Sequence, residues 1–161
     1  MKAISLLFCL ILISLTEPYA QQNKPTPPKT GYNAERAKKL GADELGNRNY
    51  IIAFVKEGPV KLTNSKEMVL IKNAHLQNMQ KLILEGKLLV SGPFTDNKSM
   101  KGFYIFDVPS IEEARTLTFS DPAIKAGALI LELHPWYGTA ALKEIPGIHK
   151  QIQKKKFPDD N

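Results

Sequence analysis

Lys87-Leu88-Leu89-Val90-Ser91-Gly92-Pro93, followed by Thr95 to Lys101 and then Gly102-Phe103-Tyr104-Ile105-Phe106-Asp107-Val108, decides the architecture. The first run reads as a short apolar strand over Lys87–Val90, closed by Ser91-Gly92-Pro93. The last run reads as a second strand, and the polar residues between them as a hairpin-like connection. Working outward, a helix flanks each side. Upstream, Asn64 with Glu67 three residues later is a capping box, and apolar residues then recur at Ile71, Met79, Leu82 and Ile83 until Gly86. Downstream, Ser110 with Glu113 opens a helix through Phe119. Asp121-Pro122 then reads as an N-cap with proline at the first helical position, starting one short turn that Gly127 ends.

The outermost strands are Tyr50-Ile51-Ile52-Ala53-Phe54-Val55, ended by Gly58-Pro59, and Leu129–Leu133, which leads into His134-Pro135-Trp136-Tyr137. The resulting order is β-α-β-β-α-β, an α+β, ferredoxin-like arrangement. Two helices cover one face of the sheet. The runs Tyr50–Val55 and Phe103–Phe106 are too apolar to leave the other face in water. A second copy is the simplest cover, so the expected assembly is a homodimer with its sheets face to face, a dimeric α/β-barrel.

The two ends differ from this centre. Lys2 precedes an apolar run, Ile4 to Leu15, and Pro18-Tyr19-Ala20 ends in a small residue before Gln21-Gln22. Residues 1–20 read as a signal peptide cleaved after Ala20, which implies a secreted or periplasmic protein without stable membrane insertion after cleavage. An uncleaved N-terminal anchor is the alternative reading. Cys9 lies inside the apolar run, not after it, which argues against lipid attachment there. Residues 21–48 form a linker with Pro25, Pro27 and Pro28, plus a short polar helix within Asn33–Asp43. Residues 49–138 are the folded domain, and 139–161 a basic tail that packs on it or trails from it.

The 161 residues, 43% of them hydrophobic and 24% charged, suit one domain with a core of its own. Cys9 is the single cysteine, so cleavage leaves no disulfide, thiolate nucleophile or thiolate metal site. The net charge of +6 is spread along the chain except at Lys154-Lys155-Lys156, the pattern of a solvated surface and not of a nucleic-acid groove. Lys101-Gly102-Phe103 resembles the start of an RNA-binding strand motif. Tyr104 stands where that motif has a small residue, so nucleic-acid binding is not expected.

Among chemically capable residues, His75 comes four residues after Ile71 and four before Met79, on the core-facing stripe of its helix. An imidazole there is either a general acid/base held by a carboxylate or a core histidine satisfied by a backbone carbonyl. Asp121 is a natural N-cap, and one of its oxygens remains available to another partner. Ser91, beside Gly92-Pro93, reads as a turn residue. His134 and Trp136 either line the mouth of a cleft or pack at a dimer rim. His75, His134 and His149 share no metal-ligand spacing, so neither a metal nor another cofactor is expected.

The strand Tyr50–Val55, His75, the run Glu85–Phe94, Glu112-Glu113-Ala114, Asp121-Pro122 and His134-Pro135-Trp136 together resemble the YCII-related family, over roughly Asn49–Gly138. The resemblance implies a ferredoxin-like subunit that pairs into a barrel dimer. It also implies a cleft with a catalytic dyad, here His75 and Asp121, with Ser91 as a third polar group. Family members of known activity, among them a dehydrochlorinase and relatives of muconolactone isomerase, act on small ring compounds by proton transfer. Two functions follow as expectations. One is an acid–base isomerase or lyase acting on a cyclic organic compound. The other is a non-catalytic ligand-binding or accessory module of the cell envelope.

Overall fold

The computed structural model describes residues 31–96 and 98–155. The signal peptide, most of the linker, Lys156 and the residues after it lie outside them. Helix α1 (Ala34–Leu40) starts at Asn33, whose side chain accepts from the Arg36 amide, and ends at Gly41 in the left-handed region (φ 68°). Strand β1 (Asn47–Glu57) leads to helix α2 (Ser65–Leu84), where the Asn64 side chain accepts from the amides of Lys66 and Glu67. Strands β2 (Leu88–Pro93) and β3 (Met100–Phe106) form the central hairpin. Helix α3 (Ile111–Phe119) follows its Ser110 cap, and α4 (Pro122–Lys125) its Asp121 cap. Strand β4 (Leu129–Thr139), a 3₁₀ turn (Ala140–Glu144) and helix α5 (Ile145–Ile152) complete the described chain. Each predicted cap is therefore used, because each is a local contest between a side chain and solvent for unpaired amides.

The fold is α+β, with one antiparallel sheet in the order β2-β3-β1-β4, consistent with the ferredoxin-like arrangement. All the strands run beyond the predicted limits or shift against them. Ser91-Gly92-Pro93 does not close β2 but continues it, opposite Tyr104, Phe103 and Gly102. Likewise β4 passes through His134-Pro135-Trp136 to Thr139, paired along all of β1. The two prolines read as stops in the sequence. Both strands, however, are sheet edges, where a residue without an N–H is tolerated. Gly102 is required at its position: a Cβ there would lie 2.5 Å from the Gly92 carbonyl oxygen.

Alternation along the strands separates two apolar clusters. On the helix-covered face, Ile51, Ala53, Val55, Leu88, Tyr104 and Phe106 pack with Leu82, Val108 and Ala114. On the opposite face, Tyr50, Leu89 and Ile105 are buried with Ile52, Val90, Phe103 and Leu142 around them. Leu142 belongs to the segment read as a tail. That segment folds back, with the 3₁₀ turn against α1, β1 and β2, and α5 against β2.

Polar contacts hold the returning segment in place. The Tyr50 hydroxyl donates to the Thr139 carbonyl at 3.0 Å, and Asp107 accepts from Arg48 (2.6 Å) and Lys143 (3.1 Å). Arg36 pairs with Glu144. The opposite face is thus partly covered by the chain itself, a cover the sequence reading assigned wholly to a second copy. Phe94, Ile130 and Trp136 remain exposed, with Phe54 partly so.

Candidate functional site

Helix α2 lies on the helix-covered face and packs there through Met79 and Leu82 of its C-terminal half. Leu82 is buried and Met79 packs on the core, while Met68, Val69 and Leu70 near its start are exposed. Ile83, assigned to the apolar stripe in the sequence, is also largely exposed. The true stripe passes through Ile71, His75, Asn78, Met79 and Leu82. It faces α4, so His75 and Asn78, one turn apart, both meet the carboxylate that starts α4.

Asp121 is 4% exposed and fully engaged. Its Oδ1 accepts from the Ala123 amide at 2.9 Å, the N-cap bond. Its Oδ2 accepts from Asn78 Nδ2 at 3.1 Å and lies 2.8 Å from His75 Nδ1. Both readings of Asp121 therefore hold together, one oxygen for each. Burial pushes its carboxyl up, but the His75 hydrogen bond and charge outweigh that, helped by Asn78 and the Ala123 amide. The net result is a carboxyl below its ordinary range. A carboxylate at Nδ1 selects the imidazole tautomer whose proton sits on Nδ1. Nε2 then carries the free lone pair, and the Tyr104 hydroxyl lies 3.4 Å from it. Burial, together with the nearby Asp121 charge, pushes the Tyr104 phenol well above its ordinary value, so this hydroxyl keeps its proton.

Neither Asn78 nor Tyr104 is assigned to the site by the sequence, which marks Tyr104 only as a departure from the RNA-binding strand motif. The signal for Asn78 was its position one turn from His75. The signal for Tyr104 was strand alternation, which places it with Phe106 on the helix side. Ser91 lies directly across from Tyr104 on the same face of the sheet, partly buried. His134 and Trp136 do not join the site. They fall on the other parity of β4 from Leu131 and Leu133, on the opposite face of the sheet. There His134 Nε2 meets Glu132 Oε1 at 2.9 Å with its ring 5.8 Å from Phe54, and Trp136 stacks beside Tyr50 at 5.9 Å.

Beside the pair lies a cavity of about 10 Å³, room for about one water, lined by Asn78, Tyr104 and Asp121 with Leu88, Phe106 and Leu131. Among the described residues, no group of three or more His, Cys, Asp or Glu side chains is gathered to hold a metal ion. No described helix is long and apolar enough to cross a membrane. Chemically, the arrangement is an imidazole whose one nitrogen is anchored to a buried carboxylate and whose other nitrogen is basic.

A βαββαβ sheet carrying, under its helices, a partly buried histidine on a buried carboxylate defines the class. The chain belongs to the YCII-related domain family, whose model matches residues 50–137. Eight chains of solved structures match as well. One is a 5-chloro-2-hydroxyhydroquinone dehydrochlorinase from Burkholderia phenoliruptrix AC1100, in complex with 2,5-dihydroxybenzoquinone. It is 26% identical with a TM-score of 0.42, over 54% of this chain and 92% of that one. No curated protein matches the chain.

Proposed function

We propose that this protein is a cofactor-independent acid–base enzyme that moves a proton on a small cyclic organic compound, as an isomerase or lyase. The observation that carries this reading is the anchoring of His75 by Asp121, whose three donors keep it ionised. In the reaction, His75 Nε2 takes a proton from a ring carbon, and the C–H electron pair enters the ring. Asp121 stabilises the imidazolium that forms, without taking its proton. In an isomerase the proton returns to another ring atom. In a lyase a substituent leaves with its bonding pair, and the proton is passed to solvent.

A second reading, a non-catalytic ligand-binding or accessory module, draws on two observations. The cavity is no larger than a water, and Tyr104 stands at the basic nitrogen. Incubating the full chain in D₂O with cyclic enones, hydroquinones and unsaturated lactones, followed by proton NMR, separates the two. Deuterium uptake or product formation by the wild type, at the uncatalysed rate with His75→Gln, is the expected result. Binding without any exchange in the whole panel favours the module.

We also propose a homodimer joined through the open part of the second face, after export and removal of residues 1–20. Support comes from the exposed Phe94, Ile130 and Trp136 on a sheet face that the C-terminal segment covers only in part. Light scattering with intact-mass analysis is expected to show twice the mass of a chain that starts at Gln21. Ile130→Glu, on a side chain already 46% exposed in one subunit, is expected to leave that subunit folded and halve the mass. A wild-type monomer refutes the dimer, and a chain that retains Met1 refutes cleavage.

A further inference from the structure

The geometry points to Tyr104 as the positioning residue of the His75–Asp121 pair: its hydroxyl donates to Nε2, so the ring is held at both nitrogens and a ligand must displace this bond to reach the base. The inference deepens the acid–base reading proposed above and rests on it for its functional meaning.

Three observations carry it. The Tyr104 ring is 8% exposed and lies in the core cluster, edge-on to Phe106 at 6.0 Å, so the hydroxyl cannot swing into solvent. Its oxygen lies 3.4 Å from His75 Nε2, while Nδ1 is committed to Asp121 at 2.8 Å. Tyr104 and Asp121, the residues on either side of His75, both contribute to the lining of the small cavity. A phenol that keeps its proton beside a neutral imidazole has one useful orientation, as donor to the lone pair.

The arrangement reverses when His75 gains a proton. Nε2–H then donates to the Tyr104 oxygen, and the phenolic proton turns away from the histidine. One covalent bond forms, Nε2–H, with the proton taken from the ligand's ring carbon or from solvent. The Nε2–Tyr104 hydrogen bond reverses, the phenolic O–H bond is kept, and Nδ1–H still donates to Asp121. Tyr104 thus presents a donor to a ligand oxygen only when His75 is charged, and covers Nε2 when it is neutral.

Long-range ¹⁵N–¹H correlation of the His75 ring at pH 9, in the full chain, tests this directly. In the wild type the proton is expected on Nδ1, with Nε2 shifted upfield by an accepted hydrogen bond. In Tyr104→Phe, which keeps the ring against Phe106, Nε2 is expected to move downfield toward a free pyridine-type nitrogen while Nδ1 stays. A wild-type ring protonated at Nε2 overturns the inference without need of the variant. So does an Nε2 resonance that Tyr104→Phe leaves unmoved, even where the enzyme turns over a ring compound. A Tyr104-dependent Nε2 in a chain that turns over no compound supports the positioning role and removes the enzymatic reading instead.

Discussion

Asp121→Ala is expected to cost about 3–5 kcal/mol of folding stability, read from urea unfolding at pH 7. The N-cap bond to Ala123 accounts for about 1 kcal/mol of this. The remainder comes from His75 and Asn78, whose donors lose a buried, ionised acceptor to which each bonds more strongly than to a neutral one. Asp121→Asn keeps the cap but presents a neutral oxygen or a donor to His75, and is expected to fall between the two. The pH dependence has a definite sign. The carboxyl lies below its ordinary value of 3.8 in the folded chain, so its contribution is complete above that value and fades as pH falls through the lower, folded-state value. The gap between wild type and Asp121→Ala should therefore narrow on strong acidification. A gap under 1 kcal/mol at pH 7 would mean that solvent replaces the carboxylate readily, and that the pair is not the buried unit described above.

Gly58→Ala is expected to cost about 3 kcal/mol, although it adds a single methyl group. At Gly58 two backbone segments touch. Its amide donates to the Ala128 carbonyl at 2.8 Å, and the Val60 amide to the Gly127 carbonyl at 3.1 Å. A Cβ on Gly58 would lie 2.1 Å from the Gly127 oxygen, and backbone cannot step aside as a side-chain end can. Relief would pull the end of β1 from the start of β4, where Glu57 pairs with Leu129. Gly92→Ala is the control, because nothing lies within 4 Å of its added Cβ. Equal melting temperatures for the two variants would show that the β1–β4 junction opens freely.

The legible parts of this fold are those encoded within a few residues. Asn64 with Glu67, Ser110 with Glu113, and Asp121-Pro122 each mark a helix start, because capping is decided by local geometry. Strand ends were less legible. Pro93 and Pro135 disqualify a residue only if its N–H is needed, and that depends on whether the strand is an edge. The returning segment was harder still, since Leu142 packs against a cluster whose members come from three separate strands. At the site, the burial of His75 followed from helical spacing. Its meeting with Asp121, across 46 residues, came from the family resemblance and not from any pattern. Tyr104 and Asn78 acquire meaning only through that meeting. His134 and Trp136 had plausible chemistry but the wrong strand parity.

The place of β1 in the sheet also sets the order in which the chain can assemble. It is a central strand, flanked by β3 on one side and β4 on the other, and Asn47 at its start finds its partner in Thr139 near the far end of the described chain. The β2–β3 hairpin closes a short loop and can form early, but the β1–β4 ladder must first close a loop of most of the domain. Helices α2 and α3 can rest on the nascent hairpin before that. The second apolar face, however, gains its C-terminal cover only after β4 has docked. Sheet closure is thus expected to come late, and the opposite face to stay bare until then, which exchange labelling during refolding would show as late protection of the β1–β4 amides.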